Sequence, residues 1–290
     1  MYRGHTGKAV QTFELNPSDN IQQNGGNYMS NNVEIITINT AETAAEHGFF
    51  CYKSKPKAEG YQRKLAWLDQ RFAEGLQIKI IYDGDRSVGF VEYTPAEFAW
   101  RPIRADGYLV IHCLWVVGRA KKRGYGSRLL EACIEDARAM EKRGVTALTK
   151  KGGHLVGKKI FLKHGFEVVE KAAPAFSLVA KTFDDAPPPI LPKDWNARQA
   201  RYGEGLTIVY ANQCPYFTNA VQQTLDVAGE MEIQSRRAVE LNSAQEVQEQ
   251  APCPYGTYGI VFNGRLLSCV HLGRKRFRAR LQKFLAEEAA

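Results

Sequence analysis

Between Tyr108 and Gly144 the chain changes character twice, and that double change restricts its fold more than any other stretch. Tyr108 to Val117 is an apolar run interrupted only by His112, which reads as a buried strand. It passes into Gly118-Arg119-Ala120-Lys121-Lys122-Arg123-Gly124-Tyr125-Gly126, a basic turn with two closely spaced glycines. From Ser127 to Arg143, Leu130, Cys133, Ile134 and Ala137 fall on one helical face, and Gly144 is placed to end that helix as its C′ residue. Glycines let backbone N–H groups approach an anion, and the new helix aims its positive end at the same point. The spacing is neither that of a Walker loop nor that of a dinucleotide fingerprint. A pyrophosphate on a pantetheine nucleotide fits it.

The surrounding pattern supplies the rest of an α/β unit. Val33 to Ile38 reads as a strand, Ala41 to about Tyr52 as a helix, and Gln62 to Gly75 as a second helix on Leu65, Trp67, Leu68 and Phe72. Ile78 to Tyr82 and Val88 to Tyr93 form a hairpin about Asp83-Gly84-Asp85. Val145 to Leu148, Phe166 to Val169 and Phe176 to Ala180 are strands, with a helix leading into Phe161. Residues 1–32 are polar and aperiodic, which predicts a disordered tail; Met29, just before the first strand, is an alternative start.

At roughly 150 residues per domain, 290 residues suggest about two domains. The prolines at 187, 188, 189 and 192 predict a stiff, extended linker over 184–204. The expected organisation is therefore a tail (1–32), a first domain (33–183), the linker, and a second domain (205–290). In the last, strands are expected at Leu206–Tyr210, Arg237–Leu241, Thr257–Phe262 and Arg265–His271, the last two a hairpin about Asn263-Gly264. Helices are expected at Tyr216–Gly229, Ala244–Gln250 and Arg274–Glu288.

The strand, glycine turn and helix resemble the GNAT superfamily of acyl-CoA-dependent N-acyltransferases, whose pyrophosphate loop reads Arg/Gln-x-x-Gly-x-Gly/Ala; here it is Lys121-Lys122-Arg123-Gly124-Tyr125-Gly126. Phe161-Leu162-Lys163-His164-Gly165-Phe166-Glu167 resembles the family's segment beside the CoA arm. The resemblance spans residues 33–183 and implies an α+β fold with a splayed mixed sheet. It further implies acetyl-CoA as acyl donor and an amine that attacks the thioester directly. Donor binding then falls to Leu114, Trp115, Val116, Val117, Lys121, Lys122, Arg123, Gly124, Tyr125, Gly126, Ser127 and Phe161. A backbone N–H at Val116 or Val117 would stabilise the oxyanion.

An attacking amine must lose a proton. His112 is the first candidate base, because strand alternation places it on the same face as Val116. Glu92, on the neighbouring strand, is the second. Many family members carry a tyrosine that protonates the leaving thiolate where this chain has Phe161; the alternatives are a thiolate that leaves unaided or a borrowed acid such as Tyr125. Cys51, Tyr52, Trp100, Asp106, Cys113 and Trp115 come from segments that should border the acceptor cleft.

In the second domain, Ala211-Asn212-Gln213-Cys214-Pro215-Tyr216-Phe217 resembles a thioredoxin or glutaredoxin entry, with Phe217 in place of the second cysteine. A thiol at a helix N-terminus is expected to be acidified. Pro252-Cys253-Pro254 resembles the cis-proline loop of that fold, which would bring Cys253 beside Cys214 as a thiol partner. Acyltransferase and thioredoxin-like domain in tandem resemble the bacterial YoaP-type acetyltransferases.

These features point to a cytoplasmic N-acetyltransferase acting on a small-molecule, amino-acid or peptide-like amine. The alternative is a thiol-redox or soft-metal and arsenic-handling protein that uses Cys214 and Cys253. Six cysteines suit a reducing compartment, no apolar run is long enough for a membrane span, and no resident metal is expected. The +8 net charge and the run Arg274-Lys275-Arg276-Phe277-Arg278 raise nucleic-acid binding, but those charges alternate with Phe277, Leu281 and Phe284, as on a docked helix. The protein is expected to be a monomer or homodimer.

Overall fold

A computed structural model describes residues 33–152, 155–183 and 185–288, so the tail expected over 1–32 lies outside the described residues. The first half of the chain runs β1 (Val33–Ile38), α1 (Ala41–His47), α2 (Glu59–Phe72), β2 (Gln77–Asp83), β3 (Arg86–Pro95), β4 (Tyr108–Val116), α3 (Tyr125–Ala139) and β5 (Gly144–Lys150). It continues with α4 (Lys159–Lys163), β6 (Glu167–Ala172) and β7 (Phe176–Thr182). Its strands make one seven-stranded sheet in the order β1-β2-β3-β4-β5-β7-β6. All neighbours are antiparallel except β4 and β5, so the sheet is mixed and the architecture α+β.

The remainder forms α5 (Trp195–Ala200), β8 (Leu206–Tyr210), α6 (Phe217–Glu230), β9 (Arg236–Glu240), α7 (Ala244–Gln250), β10 (Tyr258–Phe262), β11 (Arg265–Ser268) and α8 (Arg274–Glu288). Its strands make a four-stranded sheet, β11-β10-β8-β9, with β8 and β9 parallel.

The described residues form one compact unit. One face of the large sheet packs on α3 through Val91, Tyr93, Ile111, Leu114, Leu129 and Leu130. The opposite face meets α1, α2 and the small sheet in shared cores. Leu68, Ile78, Phe90 and Trp100 pack with Val209, Leu241 and Val261, while Tyr108, Val110 and Leu178 pack with Ile208, Phe217 and Tyr258. Charged α8 buries Phe277 and Leu281 in the small sheet's core and leaves its arginines outside.

Four sequence expectations change. The helix predicted to run to Arg143 ends at Ala139, because Glu141 takes a left-handed φ of 52° and Lys142 N–H bonds back to Ala137 O at 2.8 Å. Gly144 begins β5 instead of capping α3: a Cβ there would meet Lys181 O at 2.4 Å and the Tyr108 ring at 2.6 Å. The proline-rich stretch is docked and partly helical. Arg104 and Ile190 exchange backbone hydrogen bonds, the Tyr108 hydroxyl donates to Pro187 O, Leu191 is buried, and α5 occupies Trp195–Ala200. Likewise the first helix stops at His47, and Gly48 caps it at a φ of 70°.

Gly60 on α2 lies against the Cys214-Pro215 turn, where a Cβ would fall 2.0 Å from Pro215 O. Backbone cannot yield as a side chain can, so Gly60→Ala should destabilise the protein by about 1–3 kcal/mol in denaturant unfolding.

Candidate functional site

Strands β4 and β5 pair only from Tyr108/Gly144 to Ile111/Ala147. Beyond that, β5 stays with β7 while β4 follows β3, and the sheet splays. Val117 N–H donates to Val88 O at 2.9 Å, which fixes the antiparallel phase. Cys113 and Trp115 therefore turn their backbone groups toward β3, whereas Leu114 and Val116 turn theirs into the gap. The N–H proposed for an oxyanion thus belongs to Leu114 or Val116; Val117 already spends its own on β3.

A groove of about 480 Å³ follows this gap, lined by Leu114, Trp115, Val116, Lys121, Lys122, Gly124, Tyr125, Gly126 and Ser127. Ala120, Leu155, Val156, Gly157 and Ile160, which carry no sequence signal of their own, complete it. It ends on the N-terminus of α3, which no side chain caps, so the first-turn N–H groups are left for a ligand. A Cβ on Gly124 or Gly157 would meet nothing within 4 Å, and Gly124 sits at a φ of 82°. This open cradle, with Lys121 and Lys122 on its wall, suits a pyrophosphate.

Three residues expected in the groove lie elsewhere. Val117 is not on its wall. Arg123 turns away to Asp83, 2.7 Å distant, and covers the Tyr125 ring. Phe161 is fully buried against Phe166. The Tyr125 hydroxyl donates to Asp83 at 2.8 Å, so it is directed to that carboxylate and away from a leaving thiolate.

On the other side of β4 the register with β3 shifts: Glu92 faces Cys113, but Tyr93 faces Ile111. His112 is the extra residue of this bulge. The bulge resets alternation, so Ile111, Leu114 and Val116 face α3 while His112 and Cys113 face the opposite side. The expectation that His112 shares a face with Val116 is thereby corrected.

The bulged imidazole joins a buried network. Glu92 accepts hydrogen bonds from Lys64 Nζ (2.7 Å), Gln213 Nε2 (2.7 Å) and His112 Nδ1 (3.2 Å). Trp100 N–H donates to His112 Nε2 at 3.0 Å, which fixes the neutral Nδ1–H tautomer. Burial alone would raise the Glu92 carboxyl, but Lys64 and His112 hold it at about 2. Burial pushes His112 below its ordinary value despite Glu92. With its lone pair engaged by Trp100 and its proton on Glu92, His112 has no nitrogen left for an incoming amine. Glu92, accepting from three donors, is a poor base as well.

This network borders a second cavity of about 360 Å³ between the two sheets. Phe49, Phe50, Phe90, Trp115 and Phe217 form its apolar wall; Lys64, Glu92, Arg101, His112, Gln213 and His271 are its polar members. Of the expected acceptor-side residues, Cys51, Cys113 and Trp115 line it. Tyr52 packs on Tyr216, Trp100 is buried against Trp67, and Asp106 is exposed outside it. Lys64, Arg101, Gln213 and His271 were missed, since their convergence depends on how the small sheet docks.

Cys214 also lines the cavity, but burial pushes its thiol up to about 11 and so reverses the expected acidification. Cys253 is not on the cavity wall: its thiol donates to Tyr258 O and interacts with Cys269. All six cysteines are free, and the one cis peptide among the described residues precedes Pro174, so Cys253–Pro254 is trans. The expected Cys214–Cys253 pairing is not formed.

A strand that parts from its neighbour beside an uncapped helix N-terminus, on an α+β sheet of this order, is the arrangement that the resemblance to CoA-dependent acyltransferases implies. A family model described as acetyltransferase (GNAT) family matches residues 42–166. The uncharacterized N-acetyltransferase YoaP of Bacillus subtilis (strain 168) is 31% identical over 232 residues, 79% of this chain and 91% of that protein. Among solved structures, YncA of Salmonella typhimurium with its cofactor acetyl-CoA aligns over 55% of this chain and 98% of its own, at 17% identity and a TM-score of 0.39. A GNAT family acetyltransferase from Brucella melitensis in complex with acetyl-CoA aligns over 54% of this chain and 91% of its own, at 13% identity and a TM-score of 0.35. The chain belongs to the GNAT acetyltransferase family, and acetyl-CoA is its acyl donor.

A Cβ on Gly126 would already touch Ile160 at 3.0 Å, on the groove wall. Gly126→Glu should therefore abolish acetyl-CoA binding in calorimetric titration while the circular dichroism spectrum is retained. The buried network makes stability fall with acid. Glu92 and His112 both have folded pKa values below their unfolded ones, so the unfolded chain binds more protons as pH drops below about 6.5 and then through about 4.5. Tm should decline steadily from pH 7 to pH 3. Glu92→Gln should remove the lower part of that dependence and cost about 3–5 kcal/mol at pH 7, because Lys64 is left buried without its partner.

Proposed function

We propose that the protein transfers the acetyl group of acetyl-CoA to the primary amine of a small acceptor bound in the cavity between the two sheets. The observation that carries this reading is that groove and cavity share Trp115 and Leu155. An acyl group held at the splayed end of β4 would meet an amine entering from the other side. The N–C bond forms as the thioester C–S bond breaks. The ammonium group gives up two protons in all, one to the CoA sulfur and one to solvent.

The chain's own groups divide this work. Leu114 and Val116 offer backbone N–H groups in the gap for the developing oxyanion. His112 and Glu92 act as positioning residues that fix the bulge. The proton acceptor we assign is His271, a partly exposed imidazole on the cavity wall just after β11, because imidazole is the side chain most often used as a general base and this one reaches the cavity. Cys214, Tyr216, Phe217 and Tyr255 close the cavity from the small-sheet side.

The order β11-β10-β8-β9, with β8 and β9 parallel and β10 antiparallel to β8, supports a thioredoxin-like reading of residues 205–290. In this reading that unit serves as acceptor-site wall, not as a thiol exchanger, since Cys214 is a neutral thiol without the Cys253 partner. Six free cysteines and use of a cytosolic acyl donor favour a cytoplasmic location. No helix among the described residues is long and apolar enough to cross a membrane.

Amine-dependent release of CoA thiol from acetyl-CoA tests the reading; its absence across a broad amine panel, with donor binding intact, would overturn it. His271→Gln should lower kcat by about 10²-fold or more with little change in KM for acetyl-CoA. His112→Gln should act chiefly through a lower Tm.

A further inference from the structure

Arg101 lies in the segment between β3 and β4, is 1% exposed, and lines the cavity. Every acceptor of its guanidinium is neutral. Nη1 donates to Tyr255 O (2.6 Å), Thr257 Oγ1 (2.8 Å) and Trp100 O (3.4 Å), and Nη2 donates to His112 O (2.9 Å). The guanidinium stacks over the Tyr255 ring at 4.6 Å, and Nε is buried without a hydrogen-bond partner. Among the described residues no carboxylate lies within ion-pair distance of it.

Buried Lys64 provides the contrast. It carries the same charge on the same wall but is neutralised by Glu92 at 2.7 Å. Among the described residues Glu92 is the one acidic side chain lining the cavity, and Lys64 uses its charge. His112 is held neutral by its two hydrogen bonds, and burial keeps the Cys51, Cys113 and Cys214 thiols protonated. Apart from His271, the described side chains of the wall therefore carry one uncompensated positive charge, on an arginine that is 1% exposed. Such a charge is costly unless a counter-charge arrives.

We propose that the acceptor supplies it: the acceptor amine also bears a carboxylate, which Arg101 neutralises, and an apolar group that packs on Phe49, Phe50, Phe90 and Phe217. The substrate class is thus a carboxylate-bearing amine with an apolar side chain, such as an apolar or aromatic amino acid. Arg101 selects the substrate and takes no part in proton transfer. The inference rests on the acetyl-transfer reading above and narrows its acceptor.

The test uses the full chain with apolar and aromatic L-amino acids, their amides, and the corresponding decarboxylated amines. Two readouts are recorded: release of CoA thiol from acetyl-CoA, and the ligand-induced shift in Tm. The carboxylates should exceed their amides and amines by about 10²-fold in kcat/KM, and they alone should raise Tm. Arg101→Gln should erase that preference, and Arg101→Lys should restore part of it. Should either variant fail to fold, the wild-type comparison decides alone. Turnover that favours the amides or decarboxylated amines, or treats all three sets alike, would overturn the inference and leave acetyl transfer standing. Tm shifts confined to carboxylates with no turnover would support Arg101 as an anion site and sink the acetyl-transfer reading. Neither shift nor turnover with any carboxylate would overturn the inference.

Discussion

Glu92 is the carboxylate on which the two halves of this molecule depend. It is buried at the heart of the large sheet, and it is compensated by groups from three separate places: Lys64 from α2, His112 from the bulge in β4, and Gln213 from the turn before α6. Gln213 in turn accepts from Thr257, and Thr257 accepts from Arg101. A buried charge tolerates little misplacement of its partners, because each lost donor exposes it to an apolar surround. Through Gln213 and Thr257 the network ties the small sheet to the large one. It does so beside the cavity.

The splay and the bulge in β4 act as one device. Splaying frees the backbone of Leu114 and Val116 on the side of β5, which gives the groove at α3 its polar edge. The bulge at His112, a few residues earlier, turns two successive side chains toward the small sheet and gives the second cavity its floor. Trp115, 42% exposed, stands between the two and belongs to both walls. Lys121 lies over its indole at 5.0 Å, which helps hold the ring where groove and cavity meet.

The parts of this arrangement that are local in the chain were legible in advance. The strand, basic glycine turn and helix of residues 108–139 mark an anion cradle by their spacing, and nine of the twelve residues that the family resemblance implied for the donor line the groove there. The misses have physical causes. Val117 spends its N–H on β3; Arg123 has a carboxylate nearby; Phe161 lies one layer too deep. His112 was rightly seen as chemically unusual, but its role was read from strict alternation, which a bulge breaks without any mark in the sequence. Cys214 was expected to be acidic from its place near a helix start, yet burial outweighs that effect.

By itself the sequence determined most of the elements, the order in which they follow, and the basic glycine turn that opens on the groove, because each rests on periodicity or on neighbours a few residues apart. The small sheet's strands and helices were equally readable. Only the tertiary structure decided what those elements do to one another. Lys64, Glu92, Arg101, Gln213 and His271 are scattered over more than two hundred residues, and nothing local ties them together. They converge because the small sheet buries its apolar face against α2 and β3, and burial then forces each polar group to find a partner or to keep a charge in reserve. The cavity between the two sheets, with buried Arg101 on its wall bonded to neutral acceptors, is a consequence of that docking.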